Sequence, residues 1–207
     1  MNGPGDTLFT IGHSRHPLEH FVALLQRHAI ELVADVRSTP FSRFNPQFNR
    51  GRLEASLRAV GIRYEFLGEE LGARSKDPAC YEGERVSYAK LAASAEFKRG
   101  LARLFAQMRT QRVAIMCAER EPLDCHRTIL VGREVERAGG SVTHILADGT
   151  LEENRQAIGR LAARLKRPEP DLFESESGLA DAAYEAQAAR IAPKAPARAH
   201  GGPFDVA

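Results

Sequence analysis

The chain is poor in cysteine, with three among 207 residues, and an odd, low count of that kind excludes a disulfide-built scaffold and leaves thiols that are buried, reactive or metal-binding. Long apolar runs are missing as well. No stretch approaches the roughly 18 residues that a membrane-spanning helix needs, so a soluble protein is expected. The first twenty residues, MNGPGDTLFTIGHSRHPLEH, show no basic flank, no apolar core of signal-peptide length and no small-residue cleavage site, and the cytoplasm is the expected compartment. GxGxxG and the Walker A loop do not occur, which removes the best support for a dinucleotide or P-loop site. CxxC is absent too, against a zinc ribbon. Five residues separate Cys117 from Leu123 and Cys125 from Val131, so the C-x5-R loop of phosphocysteine chemistry is lacking. The expected architecture is therefore one globular domain, with 43% hydrophobic and 27% charged residues.

The net charge of +2 conceals a division. Residues 1–168 carry 26 Lys and Arg against 20 Asp and Glu, while 169–207 carry three against seven. Residues 36–53 hold Arg37, Arg43, Arg50 and Arg52 with no acid, a local field suited to an anionic ligand. After Pro168 the composition turns to Glu, Ser, Ala and Pro. Such a segment lacks the apolar content for a core, although 178–191 can form a loose Ala-rich helix, and 169–207 is expected to be a disordered or weakly docked tail.

Over the body, short apolar and β-branched runs alternate with helical patterns. Strands are expected at 7–13, 30–36, 62–68, 112–117 and 141–148. Helices are expected between them, one starting at Cys125 behind an Asp124 N-cap and another over LEENRQAIGRLAARLK. This alternation predicts an α/β domain of the Rossmann-like, doubly wound kind over 1–168, with a mostly parallel sheet of about five strands and helices on both faces. Ligands of such folds bind beyond the carboxyl ends of the strands. Polar residues collect at those ends: His13 and Ser14, Asp35 and Arg37, Cys117 and Glu119, Asp148.

The densest cluster is MCAEREPLDCHR at 116–127. A thiol at a helix start beside His126 and Arg127 is favoured as thiolate, which makes Cys125 the better nucleophile, and the same turn with Arg127 suits a phosphate. Cys117 reads equally as a small buried hydrophobe, Cys125 as a plain helix-start residue, and His126 with Arg127 as surface charge. Two thiols and an imidazole also suggest a metal on Cys117, Cys125 and His126, with His13 as fourth donor, as a lesser expectation. At the first turn, Gly12 permits close approach of a ligand, and Ser14 suits either a helix cap or a phosphate contact. In ADVRSTPFSRFNPQFNR, at 34–50, Phe41, Phe44 and Phe48 alternate with Arg43 and Arg50. That mixture serves single-stranded nucleic acid, or equally a loop pinned to the domain by its aromatics.

Thr10 to Ser14 (TIGHS), then Asp35, Val36, Arg37, Pro40 and Ser42, then Leu71-Gly72, then Cys117, Glu119, Pro122, Cys125, His126 and Arg127 occur in that order. In these four motifs, spread over roughly residues 7–150, the sequence resembles the domain of unknown function 488 family. The resemblance implies an α/β domain and points to those residues without naming a reaction. The function expected is an enzyme acting on a phosphate-bearing ligand, a nucleotide or nucleic acid, by cleavage of a glycosidic or phosphate bond. Cys117, Glu119, Cys125, His126 and His13 are its expected catalytic residues. Gly12, Ser14, Asp35, Arg37, Ser42, Arg43 and Arg127 are the expected substrate contacts. No nucleotide-cofactor motif is present, and a metal on Cys117, Cys125 and His126 is the lesser expectation given above. A non-catalytic nucleic-acid-binding module and a thiol or metal redox protein are the alternatives.

Overall fold

Strand alternation divides the interior into two layers. In β1 (Thr7–Gly12), Leu8 faces one side of the sheet while Phe9 and Ile11 face the other. The computed structural model describes residues 7–165 and 176–195. After β1 come α1 (Leu18–Arg27), β2 (Leu32–Asp35), α2 (Arg50–Ala59), β3 (Arg63–Phe66) and α3 (Gly68–Leu71). A small hairpin, β4 (Tyr81–Glu82) and β5 (Arg85–Val86), precedes α4 (Tyr88–Ala93) and α5 (Ala95–Met108). The chain then forms β6 (Val113–Cys117), a π-helical stretch Arg127–Gly132 that runs into α6 (Arg133–Arg137), β7 (Ser141–Ile145), β8 (Leu151–Glu153) and α7 (Asn154–Arg164). The last element is α8 (Glu176–Ile191).

The central sheet has the order β3-β2-β6-β1-β7-β8, its first five strands parallel and β8 antiparallel to β7. It is thus an α/β fold with a mostly parallel sheet, but of six strands rather than about five. The sixth arises because Leu151–Glu153, expected to be helical, folds back across a turn. There Gly149 takes a positive φ of 82° and Asp148 Oδ1 accepts from Thr150 N at 2.9 Å and Oγ1 at 2.7 Å. α7 therefore begins at Asn154, where the Glu153 N–H donates to Gln156 Oε1 at 3.3 Å.

β6 is buried along its whole length, as expected of a strand covered on both faces. Val113, Ile115 and Cys117 join the layer formed with α5, α7 and α8; Ala114 and Met116 join the layer under α1 and α2. The chain leaves β1 and β2 toward the α1/α2 face and leaves β6 toward the opposite face. Because β6 lies between β1 and β2, the loops after these three strands part from one another, and a crevice opens at their carboxyl ends.

Within 169–207, expected to be a disordered or weakly docked tail with a loose Ala-rich helix at 178–191, a helix does form, over Glu176–Ile191, and it packs on the body. This helix, α8, buries Ala183, Tyr184 and Gln187. Arg133 pairs with Asp181 at 2.8 Å and Glu185 at 2.6 Å, and its guanidinium lies 5.0 Å from the Tyr184 ring centre. The buried residues dock the helix, and the two exposed acids add ion pairs at its edge. Residues 169–175 and 196–207 lie outside the described residues. Among the described residues, no helix is long and apolar enough to cross a membrane.

Candidate functional site

Cys117 ends β6 with its side chain on the α5/α8 side, and the next residues turn back over it. Glu121 caps a short 3-10 turn, Pro122–Asp124, by accepting the Leu123 N–H at 3.3 Å. Asp124 is thus the end of that turn and not the N-cap expected. Cys125 is extended, at φ −135° and ψ 141°, and its carbonyl accepts the N–H groups of Thr128 and Ile129, both at 3.1 Å. Cys125 therefore precedes the helix instead of lying in its first turn. The Arg127 N–H still reaches Cys125 Sγ, at 3.5 Å.

This path closes a small cluster. Glu119 Oε2 lies within hydrogen-bond distance of both sulfurs, 3.1 Å from Cys117 Sγ and 3.0 Å from Cys125 Sγ. His126 Nδ1 lies 3.7 Å from Cys117 Sγ and 3.9 Å from Cys125 Sγ. On its other side His126 Nε2 meets the Val36 carbonyl at 3.0 Å. A carbonyl only accepts, so Nε2 carries the proton and Nδ1 faces the sulfurs. All three cysteines are free, buried thiols, and Cys80 is not part of the group that Cys117, Cys125 and His126 form.

Proximity separates the acidities of these groups. Cys117 is held well above the ordinary thiol range, first by its hydrogen bond with Cys125 and then by burial. For Cys125 burial acts upward, but the hydrogen bond from Cys117, the Arg127 charge and His126 outweigh it and draw the thiol well below that range. Burial raises the Glu119 carboxyl, and the negative charge on Cys125 adds to it. Burial lowers His126, but the bond to Cys125 more than reverses this.

The DVR motif builds the neighbouring wall. Asp35 Oδ1 accepts from Arg37 N at 3.1 Å and Nε at 2.9 Å, and Oδ2 accepts from Arg37 Nη2 at 2.6 Å and Tyr64 Oη at 2.7 Å. Arg37 Nη2 also donates to the Phe48 carbonyl at 2.8 Å. His13 Nδ1 meets the Ser14 carbonyl at 2.9 Å and is the protonated nitrogen, so bare Nε2 accepts from Arg37 Nη1 at 3.2 Å. Four of the five Arg37 N–H bonds are thereby occupied within the protein. The His13 ring stacks on Phe48 at 4.3 Å, and burial followed by the Arg37 charge lowers its pKa to about 4. His13 is a neutral support for Arg37, and it lies outside the cavity lining.

Arg127 is likewise structural. It is 1% exposed, and its guanidinium donates to the carbonyls of Glu119 at 2.6 Å and Arg120 at 3.3 Å and to Thr10 Oγ1 at 3.4 Å. It holds the loop carrying Glu119, where a phosphate contact was expected. Gly12 is needed for the same packing: a Cβ there would overlap the Glu119 carbonyl oxygen and come within 3.2 Å of Arg127 Nη1. The close approach that Gly12 allows is therefore to the protein's own loop. Behind Arg127, Thr10 Oγ1 bonds His144 Nδ1 at 2.8 Å, and His144 Nε2 bonds Asn154 Oδ1 at 3.0 Å. Asn154 Nδ2 ends the chain on Glu136 at 2.6 Å and Tyr184 at 2.7 Å.

A cavity of about 300 Å³ opens over the cluster. Cys117, Glu119, Cys125, His126 and Arg37 line it, together with Ser38, Thr39, Arg74, Tyr88 and Asp124. Ile191 and Pro193, from the end of α8 and beyond, close one side. Ser38, Thr39 and Arg74 were missed as site residues, and Tyr88, at the start of α4, reads from the sequence equally as part of a lid over the crevice or as simple packing; only the folded excursion after β3 brings Arg74 and Tyr88 back to the crevice. Other expected contacts lie elsewhere. Ser14 has a left-handed backbone (φ 48°) and caps nothing, since α1 starts at Leu18 behind Pro17. Ser42 Oγ accepts the N–H groups of Phe44 at 3.2 Å and Asn45 at 3.1 Å and so shapes its own turn. Arg43 is exposed on that loop, and Asp148 belongs to the β7–β8 turn.

Compared with known proteins, residues 17–133 match the model of the family described as "Domain of unknown function DUF488". No curated protein and no solved structure matches the chain.

Proposed function

We infer the activity from the site alone, because the chain belongs to the DUF488 family and that family's description names no reaction. We propose that the protein is an enzyme that binds a phosphate-bearing ligand, a nucleotide or the end of a nucleic acid, in the cavity beside β6 and cleaves a glycosidic or phosphate bond. Glu119 moves the proton. The observation that carries this reading is the Glu119 carboxyl itself, a cavity-lining acid between two sulfurs whose proton affinity is raised by its setting. Arg37, Arg74, Ser38 and Thr39 line the same space. They provide donors for one anionic group, and about 300 Å³ suits a ligand at the small end of the usual range. The position of this crevice at the parting of loops around β6 agrees with ligand binding in Rossmann-like, doubly wound sheets.

The test is a thermal-shift screen of the full chain against nucleotides, sugar phosphates and short oligonucleotides, followed by product analysis on each ligand that stabilises it. Glu119→Gln is expected to lower turnover by about 100-fold or more and to keep the ligand-induced shift. Equal loss of both removes Glu119 from the chemistry, and a screen without a phosphate-bearing hit removes the ligand class.

One observation favours a second reading, binding of single-stranded nucleic acid without catalysis. Phe41 and Phe44 are 63% and 88% exposed beside exposed Arg43, which is the composition of a stacking platform. Oligonucleotide affinity that falls steeply with salt and is lost in a Phe41→Ala/Phe44→Ala variant supports it; affinity indifferent to both refutes it.

A further inference from the structure

The cluster at the cavity floor has a property that proton transfer does not use: two sulfurs and an imidazole nitrogen face one another. Among the described residues, Cys117, Cys125 and His126 form the one group of this kind, with all their donor atoms within 4.8 Å of one another. We propose that Cys117 Sγ, Cys125 Sγ and His126 Nδ1 bind one divalent transition-metal ion of the zinc class, its fourth position opening on the cavity beside Glu119. The open position rests on the cavity being the seat of reaction, whereas the binding itself rests on the ligand geometry.

The distances fit the ion. Zinc lies about 2.3 Å from thiolate sulfur and about 2.0 Å from imidazole nitrogen, so tetrahedral angles place sulfur and nitrogen roughly 3.6 Å apart. The separations here are 3.7 and 3.9 Å. The histidine is oriented as a ligand, because the Val36 carbonyl takes its Nε2 proton at 3.0 Å and turns the Nδ1 lone pair toward the sulfurs. The Arg127 N–H at Cys125 Sγ, 3.5 Å away, supports a charged sulfur in the same manner. Two thiolates and one imidazole select a borderline-soft ion over magnesium or calcium.

His13, the fourth donor expected from the sequence, is excluded: its two nitrogens are engaged by the Ser14 carbonyl and Arg37. The nearest further donor is Glu119 Oε2, which the two thiols touch at 3.0 and 3.1 Å. Three protein ligands and a carboxylate beside an open position is the composition of a catalytic rather than a closed structural zinc site. An ion there would polarise a water or substrate oxygen and leave Glu119 to move the proton.

The full chain, purified under reducing conditions and stripped with a chelator, is titrated with Co²⁺. Uptake of about one ion per chain, with thiolate-to-cobalt charge-transfer absorption, is expected. Cys117→Ser and Cys125→Ser should each weaken uptake by more than about 100-fold, whereas Cys80→Ser and Glu119→Gln should retain the ion and its absorption. Circular dichroism checks that each variant is folded. If a serine variant is not, X-ray absorption of the zinc-loaded wild type must find two sulfur neighbours and at least one nitrogen. Reduced, folded wild type that takes up no cobalt, or absorption that survives in the Cys117→Ser/Cys125→Ser double variant, overturns the proposal. Turnover lost in Glu119→Gln with metal retained separates the two readings, since the metal can fail while the acid–base role stands.

Discussion

Replacing Asp35 by asparagine tests whether the DVR motif builds the cavity wall or contacts a ligand. The wild-type carboxylate accepts four bonds, three from Arg37 and one from Tyr64, and both charged partners are buried, Asp35 at 0% and Arg37 at 5% exposure. Asparagine has a single acceptor oxygen, so its NH₂ group faces an Arg37 guanidinium N–H whichever way it is turned, and in one orientation the Tyr64 hydroxyl as well, and the Arg37 charge loses its counter-ion. Breaking a buried pair in this way costs about 3–5 kcal/mol. For a chain of this size, at about 2–4 °C per kcal/mol, the melting temperature should fall by roughly 6–20 °C. Urea unfolding measures the free energy directly, and an Asp35→Leu/Arg37→Met double variant should recover much of the loss, because it leaves no buried charge unpaired. An Asp35→Asn change that stays within about 1 kcal/mol of wild type would refute the structural role.

Gly12→Ala should destabilise by about 1–3 kcal/mol and impair the site as well, because the new methyl displaces the Glu119 carbonyl from Arg127; unfolding and the Co²⁺ titration report the two effects, and a wild-type result in both would contradict the packing. Acid should unfold the protein partly through His144, whose pKa burial lowers to about 4 from an ordinary 6.5. The unfolded chain then binds the proton more readily, so the contribution is whole above about pH 6.5 and is lost as pH falls toward 4, on the order of 3 kcal/mol in all. Stability measured from pH 7 to 4 should fall less steeply in His144→Gln than in wild type; identical slopes would show that His144 is not held neutral.

The parts of this molecule that a reader of the sequence can find are those whose partners are close along the chain. VAIMC reads as a buried strand because every residue is apolar or small, and Cys117, Glu119, Cys125 and His126 meet because they fall within ten residues that include one tight turn. His13 looked like a catalytic base because its restraints, Arg37 and Phe48, come from a distant loop. The buried line from Thr10 through His144 to Asn154 and Tyr184 crosses four elements, and no local spacing announces it. The helix at 178–191 is legible from its alanines, but its packing is not, because the partners that bury Tyr184 and Gln187 and pair with Asp181 and Glu185 lie far back along the chain. β8 was taken as helix because its three residues lack the length for periodicity to decide.

Charge placement also narrows what the cavity can hold. The basic stretch 36–53 promised a field for a polyanion, yet Arg37 is neutralised by Asp35, and Arg50 lies over the Phe66 ring at 4.8 Å from its centre. Arg43 and Arg52 are exposed and do not line the cavity. Inside, Arg37 offers its one remaining N–H and Arg74 an exposed guanidinium, while Asp124 contributes a negative charge to the same wall. That donor set matches a single phosphate or carboxylate. On the proposed reading a nucleic acid would present one phosphate to the cavity and any further contacts would fall outside it, on exposed groups such as Phe41, Arg43 and Phe44; shortening an oligonucleotide to a mononucleotide is then expected to weaken binding without abolishing turnover, and equal loss of both would refute this division.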